Sequence, residues 1–197
     1  RLDGIGDCYH WSGMAWREGH GRIQQARHLI ESDIFAPCAA AALYRRSALV
    51  AAGGFDESYF CYMEDVDLGF RLRLAGHTAR FVPTAVVRHV GSATSGGQHS
   101  DFSVCHGHRN MVWTFVKNMP TPLLWFLLPW HLAANLAALV IFSARGQGNT
   151  IVRAKWQALQ GLGHAWRQRR SIQHQRIASV RSIWAALDKR LWPKQRD

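Results

Sequence analysis

Residues 118 to 144 form a run of 27 residues that contains no formally charged side chain. As a helix, such a run is long enough to reach across a hydrocarbon core of about 30 Å. Three prolines, a histidine and an asparagine interrupt it, and one crossing would put the flanking segments on opposite sides of a membrane. The run therefore predicts a membrane-associated segment that lies in the interface, re-enters or forms a short hairpin. A buried helix of a soluble lobe is the alternative.

The segment that follows is strongly basic. Residues 145 to 197 carry 12 basic and 2 acidic residues, and hence +10 of the net charge of +11. Such a tail can bind RNA or anionic lipid headgroups, because both present closely spaced phosphates. Its tryptophans recur at wide intervals beside the apolar run, which favours an amphipathic helix on a membrane surface. The excess of positive charge places this tail on the cytoplasmic side. We expect an anionic membrane surface as a partner and no nucleic acid; salt-sensitive binding to RNA but not to vesicles would reverse this order.

The rest of the chain has the composition of a globular domain. With 48% hydrophobic and 19% charged residues, the chain can bury a core. The four cysteines lie far apart without a C-x-x-C pair, which argues against a disulfide framework or a zinc ribbon and favours a reducing compartment. The sequence begins without methionine or a signal segment, as expected of a processed chain or a part of a longer one. We divide it into a catalytic part (1–117), an apolar segment (118–144) and a basic helical tail (145–197).

The middle of the first part predicts a series of short elements. We expect a strand over residues 38–44, a helix from about Arg46 to Ala52 with a stop at the following Gly-Gly, and strands in TARFVP and TAVVRHV. RNMVWTFVKN predicts another helix. The stretch VDLGFRLRLAG is consistent with a strand or a helix, but a capping Asp, good helix formers and Gly76 favour the helix. Val66, Phe70 and Leu74 would then share one face.

Three carboxylates, Glu64, Asp65 and Asp67, stand within four positions at the start of this helix. Free backbone N–H groups and the helix dipole stabilise carboxylates at such a place, so capping is one explanation of the cluster. A chemical role is the other one. A carboxylate held ionised beside a cleft can accept the proton of an attacking hydroxyl.

Several motifs follow one another in a characteristic order. They are GGFDE, an aromatic stretch that ends in Glu64-Asp65, a Val-Pro before a strand, and His89 followed by Gly-Ser-x-Thr, with HGHRNMVWTFVKNMP downstream. As an ordered set they resemble the C-terminal half of the catalytic domain of bacterial family 2 glycosyltransferases, especially the rhamnosyltransferase-like group. The resemblance implies an α/β fold, namely the C-terminal half of a GT-A Rossmann-like domain followed by an apolar and basic helical membrane-associated region. It also implies an inverting sugar transfer from a nucleotide diphosphate.

The resemblance gives roles to individual residues. Asp65 would be the general base for the acceptor hydroxyl. Glu64, its neighbour in the catalytic pair, would shape the acceptor pocket or hydrogen-bond nearby backbone. His89 would ligate a divalent cation, Mg²⁺ or Mn²⁺, unless it is a strand-end histidine bonded to backbone. Arg109 would contact the diphosphate of the donor, unless it is a surface or helix-capping residue. Asp67 is expected to be a helix-start acid.

Members of this family bind the nucleotide through an N-terminal half with a D-x-D-type metal motif, and we predict that this chain lacks both. We therefore expect a piece whose partners are a nucleotide-sugar donor, a glycan or lipid-linked acceptor and a missing N-terminal half. Its expected location is the cytoplasmic face of a bacterial inner membrane, where nucleotide sugars are made. An inactive remnant or membrane-associating partner subunit is the main alternative, and a basic nucleic-acid-binding module is the second one.

Overall fold

The computed structural model describes residues 1–89 and 99–190. Helices predominate in these two ranges, and the strands are only three residues long. The strands are β1 (Asp7–Tyr9), β2 (Ala15–Arg17), β3 (Ser32–Ile34) and β4 (Ala79–Phe81), and the helices are α1 (Arg46–Ala51), α2 (Glu64–Leu74), α3 (Asp101–Asn118), α4 (Thr121–Ala144), α5 (Gly148–His174) and α6 (Val180–Ala186). Short 3₁₀ turns occupy Ala26–Leu29, Ala39–Ala41 and Glu57–Tyr59.

The strands pair in two small antiparallel sheets, β1 with β2 and β3 with β4. β4 confirms the strand predicted in TARFVP. The strand predicted over 38–44 is wrong, because this segment contains a 3₁₀ turn and leaves Leu43 99% exposed. Residues 84–89 form no strand either, and the rest of that motif, including Gly-Ser-x-Thr, lies outside the described residues. A β-rich stretch forms a strand only beside a partner strand, and the described ranges supply none here.

The main core is built around α2. Val66, Phe70 and Leu74 are all buried, which confirms the predicted helix and its apolar face. The Phe70 ring packs edge-on against Tyr9 and Phe35, with ring centroids 5.0 and 5.1 Å apart. This buried aromatic group connects α2 to β1 and to the segment after β3. A Rossmann-like parallel sheet is not formed within the described ranges.

The helix α2 packs closely against the segment that follows β3. A Cβ added to Gly69 would lie 2.3 Å from the Cβ of Ala36, so this position of the helix tolerates no side chain. The predicted stop is also confirmed, because the helix ends at Leu74 and Gly76 has a φ of +88°. The middle of α2 is thereby packed directly against Ala36.

The long helices α3 and α5 pack side by side. The Trp113 ring fills the space beside Gly161, and its Nε1 donates to the Ala158 carbonyl at 2.9 Å. Arg169 of α5 donates to the carbonyls of Val116 and Met119 at the end of α3, at 2.8 and 2.5 Å. These bonds satisfy carbonyls that have no partner within their own helix.

Helix α4 packs one face against this body. Its Leu123, Leu124 and Leu127 join the same buried cluster as Tyr9 of β1 and Ile183 of α6. The His131 imidazole also stacks on Phe115, with ring centroids 3.9 Å apart, and bonds the Ser12 carbonyl. Pro129 lies inside a continuous helix, so the prolines do not break the apolar segment into a hairpin.

The opposite face of α4 is exposed and apolar. It carries Trp125, Phe126, Trp130, Leu132, Leu136, Val140 and Ile141. Within the described part of the chain, α4 is the one helix long and apolar enough to cross a membrane, a criterion of length and composition alone.

Candidate active site

The Glu-Asp pair begins α2 directly after a turn of unusual backbone conformation. Phe60, Tyr62 and Met63 have φ values of 61°, 66° and 69°, a region that costs a residue with a side chain about 1–2 kcal/mol. Asn110 of α3 donates to three carbonyls around this turn. The position of the acids therefore depends on α3 as well as on α2.

Asp65 is half-buried at the second position of α2. Its Oδ2 accepts from the Ala39 N–H at 3.1 Å, and its Oδ1 accepts from the Val66 N–H at 2.8 Å. The helix dipole favours negative charge at this end. The carboxylate is thus oriented by backbone donors and remains partly open to solvent, as a proton acceptor requires.

Two other side chains face Asp65. One ligand atom from each of Asp7, Cys38 and Asp65 lies within 4.8 Å of the others. Asp7 is only 6% exposed, and burial followed by repulsion from Asp65 raises the pKa of Asp7 to about 8. Burial also raises the pKa of the Cys38 thiol to about 11. At neutral pH, Asp7 and Cys38 are therefore mostly protonated beside the candidate base.

Glu64 lies at the edge of this group. Its pKa is raised by burial and by Asp65, and within the described residues its Oε2 is buried without a hydrogen-bond partner. The Tyr44 hydroxyl is likewise buried and unpaired within the described residues. Its pKa is raised mainly by burial and secondly by the negative charge of Asp65. Unpaired polar atoms are costly in a folded protein, so their presence beside Asp65 is typical of a site that binds a polar ligand.

Asp67 has a structural role. It is fully buried and accepts from Arg71 at 2.9 Å, Asn118 at 2.7 Å and Tyr59 at 3.2 Å, and it pairs with Lys117 at 2.9 Å. The acid predicted as a mere helix start is therefore the centre of a buried network between α2 and α3.

The sequence contains one D-x-D triplet, at the start of α2. Asp65-Val66-Asp67 has the D-x-D spacing, contrary to the prediction that the chain contains none. Asp67 is occupied by two cations and two neutral donors, whereas Asp65 faces Asp7 and Cys38. The two carboxylates do not converge on one ion, so the triplet does not act as a D-x-D metal motif.

His89 lies beside Asp3 rather than among the acids that start α2. Its Nδ1 is 3.0 Å from Asp3 Oδ2, and the same carboxylate pairs with Arg17 at 2.6 Å. Metal ligation by His89 stays a prediction.

Arg109 lies at the turn before α2. Its guanidinium donates to the Tyr59 carbonyl at 2.8 Å and to Asn110 Oδ1 at 2.8 Å, and it stacks over the Trp113 ring at 4.6 Å. Its contact with a diphosphate also stays a prediction.

The group Asp7, Cys38 and Asp65 can be tested against the implied divalent cation. Mg²⁺ and Mn²⁺ prefer oxygen ligands, and a thiol with a raised pKa is a poor ligand for them. The guanidinium of Arg17 also acts on these three groups as a neighbouring positive charge. The group as it stands does not fit a hard divalent cation.

Sequence reasoning identified Glu64 and Asp65 but missed Asp7, Cys38, Tyr44 and Asn110. The first three come from segments 20 to 60 residues away, and no local pattern distinguishes them. Asn110 could have been found from the sequence, because it follows the candidate Arg109 directly in HGHRN.

About half of the chain is similar to a known protein family. A model described as glycosyltransferase-like family 2 matches residues 10–109. The chain belongs to this family. The match confirms the family predicted from the motifs, and it includes Cys38, Asp65, His89 and Arg109, whereas Asp7 precedes it. Family membership implies a GT-A-like α/β fold for the family 2 domain.

Two curated relatives of the family 2 chain are rhamnosyltransferases. An N-acetylglucosaminyl-diphospho-decaprenol L-rhamnosyltransferase of Mycobacterium tuberculosis is 36% identical over 121 residues, which is 60% of this chain and 38% of the relative. Rhamnosyltransferase WbbL of Escherichia coli K12 is 51% identical over 41 residues, which is 21% of this chain and 16% of that protein. The family 2 chain thus spans well under half the length of the curated relatives that it matches. No solved structure shows a significant match.

Proposed function

We propose that the family 2 chain serves inverting transfer of a sugar from a nucleotide diphosphate to a hydroxyl of a lipid-linked or cell-surface glycan, with Asp65 as the general base. One observation carries this proposal. Within a matched family 2 region, the Asp65 carboxylate is held by two backbone N–H groups at the start of α2, beside buried polar atoms that have no partner in the described residues. The rhamnosyltransferase names of the relatives support a rhamnosyl donor and a lipid-linked acceptor.

The step is a single displacement. The acceptor hydroxyl oxygen forms a bond to the anomeric carbon of the sugar, and the bond from that carbon to the diphosphate oxygen breaks. Asp65 takes the hydroxyl proton as the new bond forms, and the nucleotide diphosphate leaves with the electron pair. Because attack and departure occur on opposite faces of the carbon, the configuration inverts.

Other residues have supporting roles in this proposal. Glu64 and Tyr44 would hydrogen-bond acceptor hydroxyls through the oxygen atoms that the described residues leave unpaired. Arg109 and His89 remain candidates for the diphosphate and a divalent cation, Mg²⁺ or Mn²⁺. We assign most donor binding to an N-terminal half, in the same polypeptide or in a partner, because the sequence has no Gly-rich strand-to-helix turn that would bind a nucleotide.

The proposed base is tested by Asp65→Asn in the full-length protein that contains this sequence. Turnover should fall at least about a hundredfold, the usual scale for a general base, while the affinity for the nucleotide-sugar donor is kept. Asp101→Asn is a matched control, since Asp101 is an exposed acid in the first turn of α3. Turnover of Asp65→Asn close to that of the control would show that the base lies elsewhere.

We also propose that α4 binds the cytoplasmic surface of the membrane without crossing it. Its inner face packs in the buried cluster and His131 bonds the Ser12 carbonyl, which supports a helix that stays on the body of the protein. Its outer face carries large apolar side chains from Trp125 to Ile141, with Trp130 also exposed, as suits insertion at the level of the headgroups. The basic residues of α5, among them Arg153, Arg167 and Arg170, supply the charge that anionic headgroups attract.

Vesicle flotation tests this surface. The protein should float with vesicles that contain phosphatidylglycerol and should float less with neutral phosphatidylcholine vesicles. The double variant Trp125→Glu and Leu136→Glu should remain at the bottom of the gradient, whereas Val50→Glu, an exposed apolar residue of α1, should float like the parent. Equal flotation of the double variant would contradict a surface on α4, and salt-sensitive binding to RNA without flotation would favour a nucleic-acid-binding module.

A further inference from the structure

The side chain of Asn110 is placed at the centre of the turn that precedes the Glu-Asp pair. It is fully buried in α3. Its Nδ2 lies 3.0 Å from the Tyr59 carbonyl, 2.9 Å from the Cys61 carbonyl and 2.7 Å from the Tyr62 carbonyl. One amide group thus contacts three carbonyl oxygens of four consecutive residues.

The orientation of this amide follows from its neighbours. Arg109 Nε donates to Asn110 Oδ1 at 2.8 Å, which identifies that atom as the oxygen. The NH₂ group therefore faces the carbonyls. Arg109 adds a second donor to the Tyr59 carbonyl through its own Nη2, at 2.8 Å.

The turn needs such support because of its backbone. Phe60, Tyr62 and Met63 all have positive φ, a conformation that residues with side chains keep only where the surrounding structure holds it. Met63 is also the residue that precedes α2, and its side chain provides no capping hydrogen bond. The direction in which α2 begins is therefore determined by what holds residues 60–63.

We infer that Asn110 is a positioning residue for sugar transfer, which fixes the turn at residues 60–63 and thereby places Glu64 and Asp65 against the acceptor. This inference rests on the proposed role of Asp65. Asn110 touches no reacting atom and acts only through the backbone of the turn. A shift of about 1 Å in a catalytic group costs up to a hundredfold in rate, so the precision of this contact matters for turnover.

A merely structural role predicts a different result. Asn110 also contributes to the buried interior of the fold, because its backbone carbonyl accepts a hydrogen bond of 2.9 Å from the buried Thr114 hydroxyl. If it only stabilised the fold, its variants would lower the amount of folded protein but not the turnover of each folded molecule.

Two variants of the full-length protein separate these roles. Asn110→Asp keeps the shape but turns a carboxylate oxygen toward three carbonyls, and Asn110→Gln keeps both N–H donors but displaces them by one methylene. Asn135→Asp is the matched control, because Asn135 lies on α4 and bonds the His131 carbonyl and Lys155, away from the turn. Turnover per folded molecule, donor KM and hydrogen exchange of the amides of residues 61–66 are measured for all three.

We expect both Asn110 variants to lose at least about tenfold in kcat while the donor KM changes by less than about threefold. Exchange at residues 61–66 should be faster in both, and the control should match the parent. If Asn110→Asp does not fold, Asn110→Gln alone decides the question. Parental kcat in the folded variants, or unchanged exchange in the turn, would overturn the inference.

The outcome is distinguishable from a failure of the proposed base. If Asp65→Asn retains turnover, the role of Asp65 is wrong whatever Asn110 does. Faster exchange of residues 61–66 in the Asn110 variants would then still support the hold on the turn, because this readout involves no catalysis.

Discussion

The buried network around Asp67 offers a quantitative test of how α2 is held. Asp67→Ala removes a fully buried carboxylate and leaves Arg71 and Lys117 without it, while Lys117 keeps Asp56 at 2.6 Å. Removing one partner of a buried ion pair costs about 3–5 kcal/mol, because the remaining charge stays desolvated. Two further hydrogen bonds, from Tyr59 and Asn118, are lost with it. We therefore expect a loss of about 4 kcal/mol in the free energy of unfolding.

Urea unfolding followed by tryptophan fluorescence measures this loss, and the melting temperature should fall by roughly 8–16 °C for a domain of this size. Asp33→Ala is the control, since Asp33 is 76% exposed and 3.9 Å from its partner Arg80, and its replacement should change stability by less than about 0.5 kcal/mol. A loss below about 1 kcal/mol for Asp67→Ala would refute the reasoning, because it would mean that the network contributes no more than a surface pair.

Three further predictions concern pH and packing. Burial raises the pKa of Asp7 to about 8, so the folded state binds more protons than the unfolded state between about pH 4 and 8, and the parent loses stability as the pH rises through this range. The Asp7→Asn variant lacks this loss, so its free energy of unfolding relative to the parent should be higher at pH 8 than at pH 5. Equal differences at the two pH values in urea unfolding would contradict this. Burial alone would raise the pKa of Asp56, but the hydrogen bond and charge of Lys117 lower this pKa well below its ordinary value. The free energy of unfolding should therefore fall as the pH drops below about 4, and Lys117→Met should remove that part of the acid dependence. Gly69→Ala should destabilise by about 1–3 kcal/mol in thermal unfolding because its Cβ has no room, whereas Gly107→Ala, which meets open space in α3, should be neutral or stabilising. Similar effects of the two alanines would contradict the close contact.

The parts of the fold that were predictable are those encoded by neighbouring residues. The apolar period of Val66, Phe70 and Leu74, the glycine after α2 and the helix in RNMVWTFVKN each have a local cause. The helix α1 and its Gly-Gly stop are of the same kind, since both glycines have positive φ. For α2 and α3, this local preference also agrees with a buried face.

The strands were less predictable, because a strand depends on a partner elsewhere in the chain. The segment at 38–44 is apolar but contains a 3₁₀ turn at Ala39–Ala41, where Ala39 donates its N–H to the Asp65 carboxylate. The same long-range dependence applies to the site. Motif order predicted Asp65, but only the fold shows that Asp7 and Cys38 face it and that Asn110 holds the turn before it.

The most direct measurement for the central claim is a crystal structure of the full-length protein with the nucleotide diphosphate and an unreactive acceptor analogue. We predict that a carboxylate oxygen of Asp65 lies about 2.6–3.2 Å from the acceptor oxygen that attacks, or reaches it through one water molecule. An acceptor oxygen bound next to a different acid or a histidine, with Asp65 directed away from it, would contradict the account.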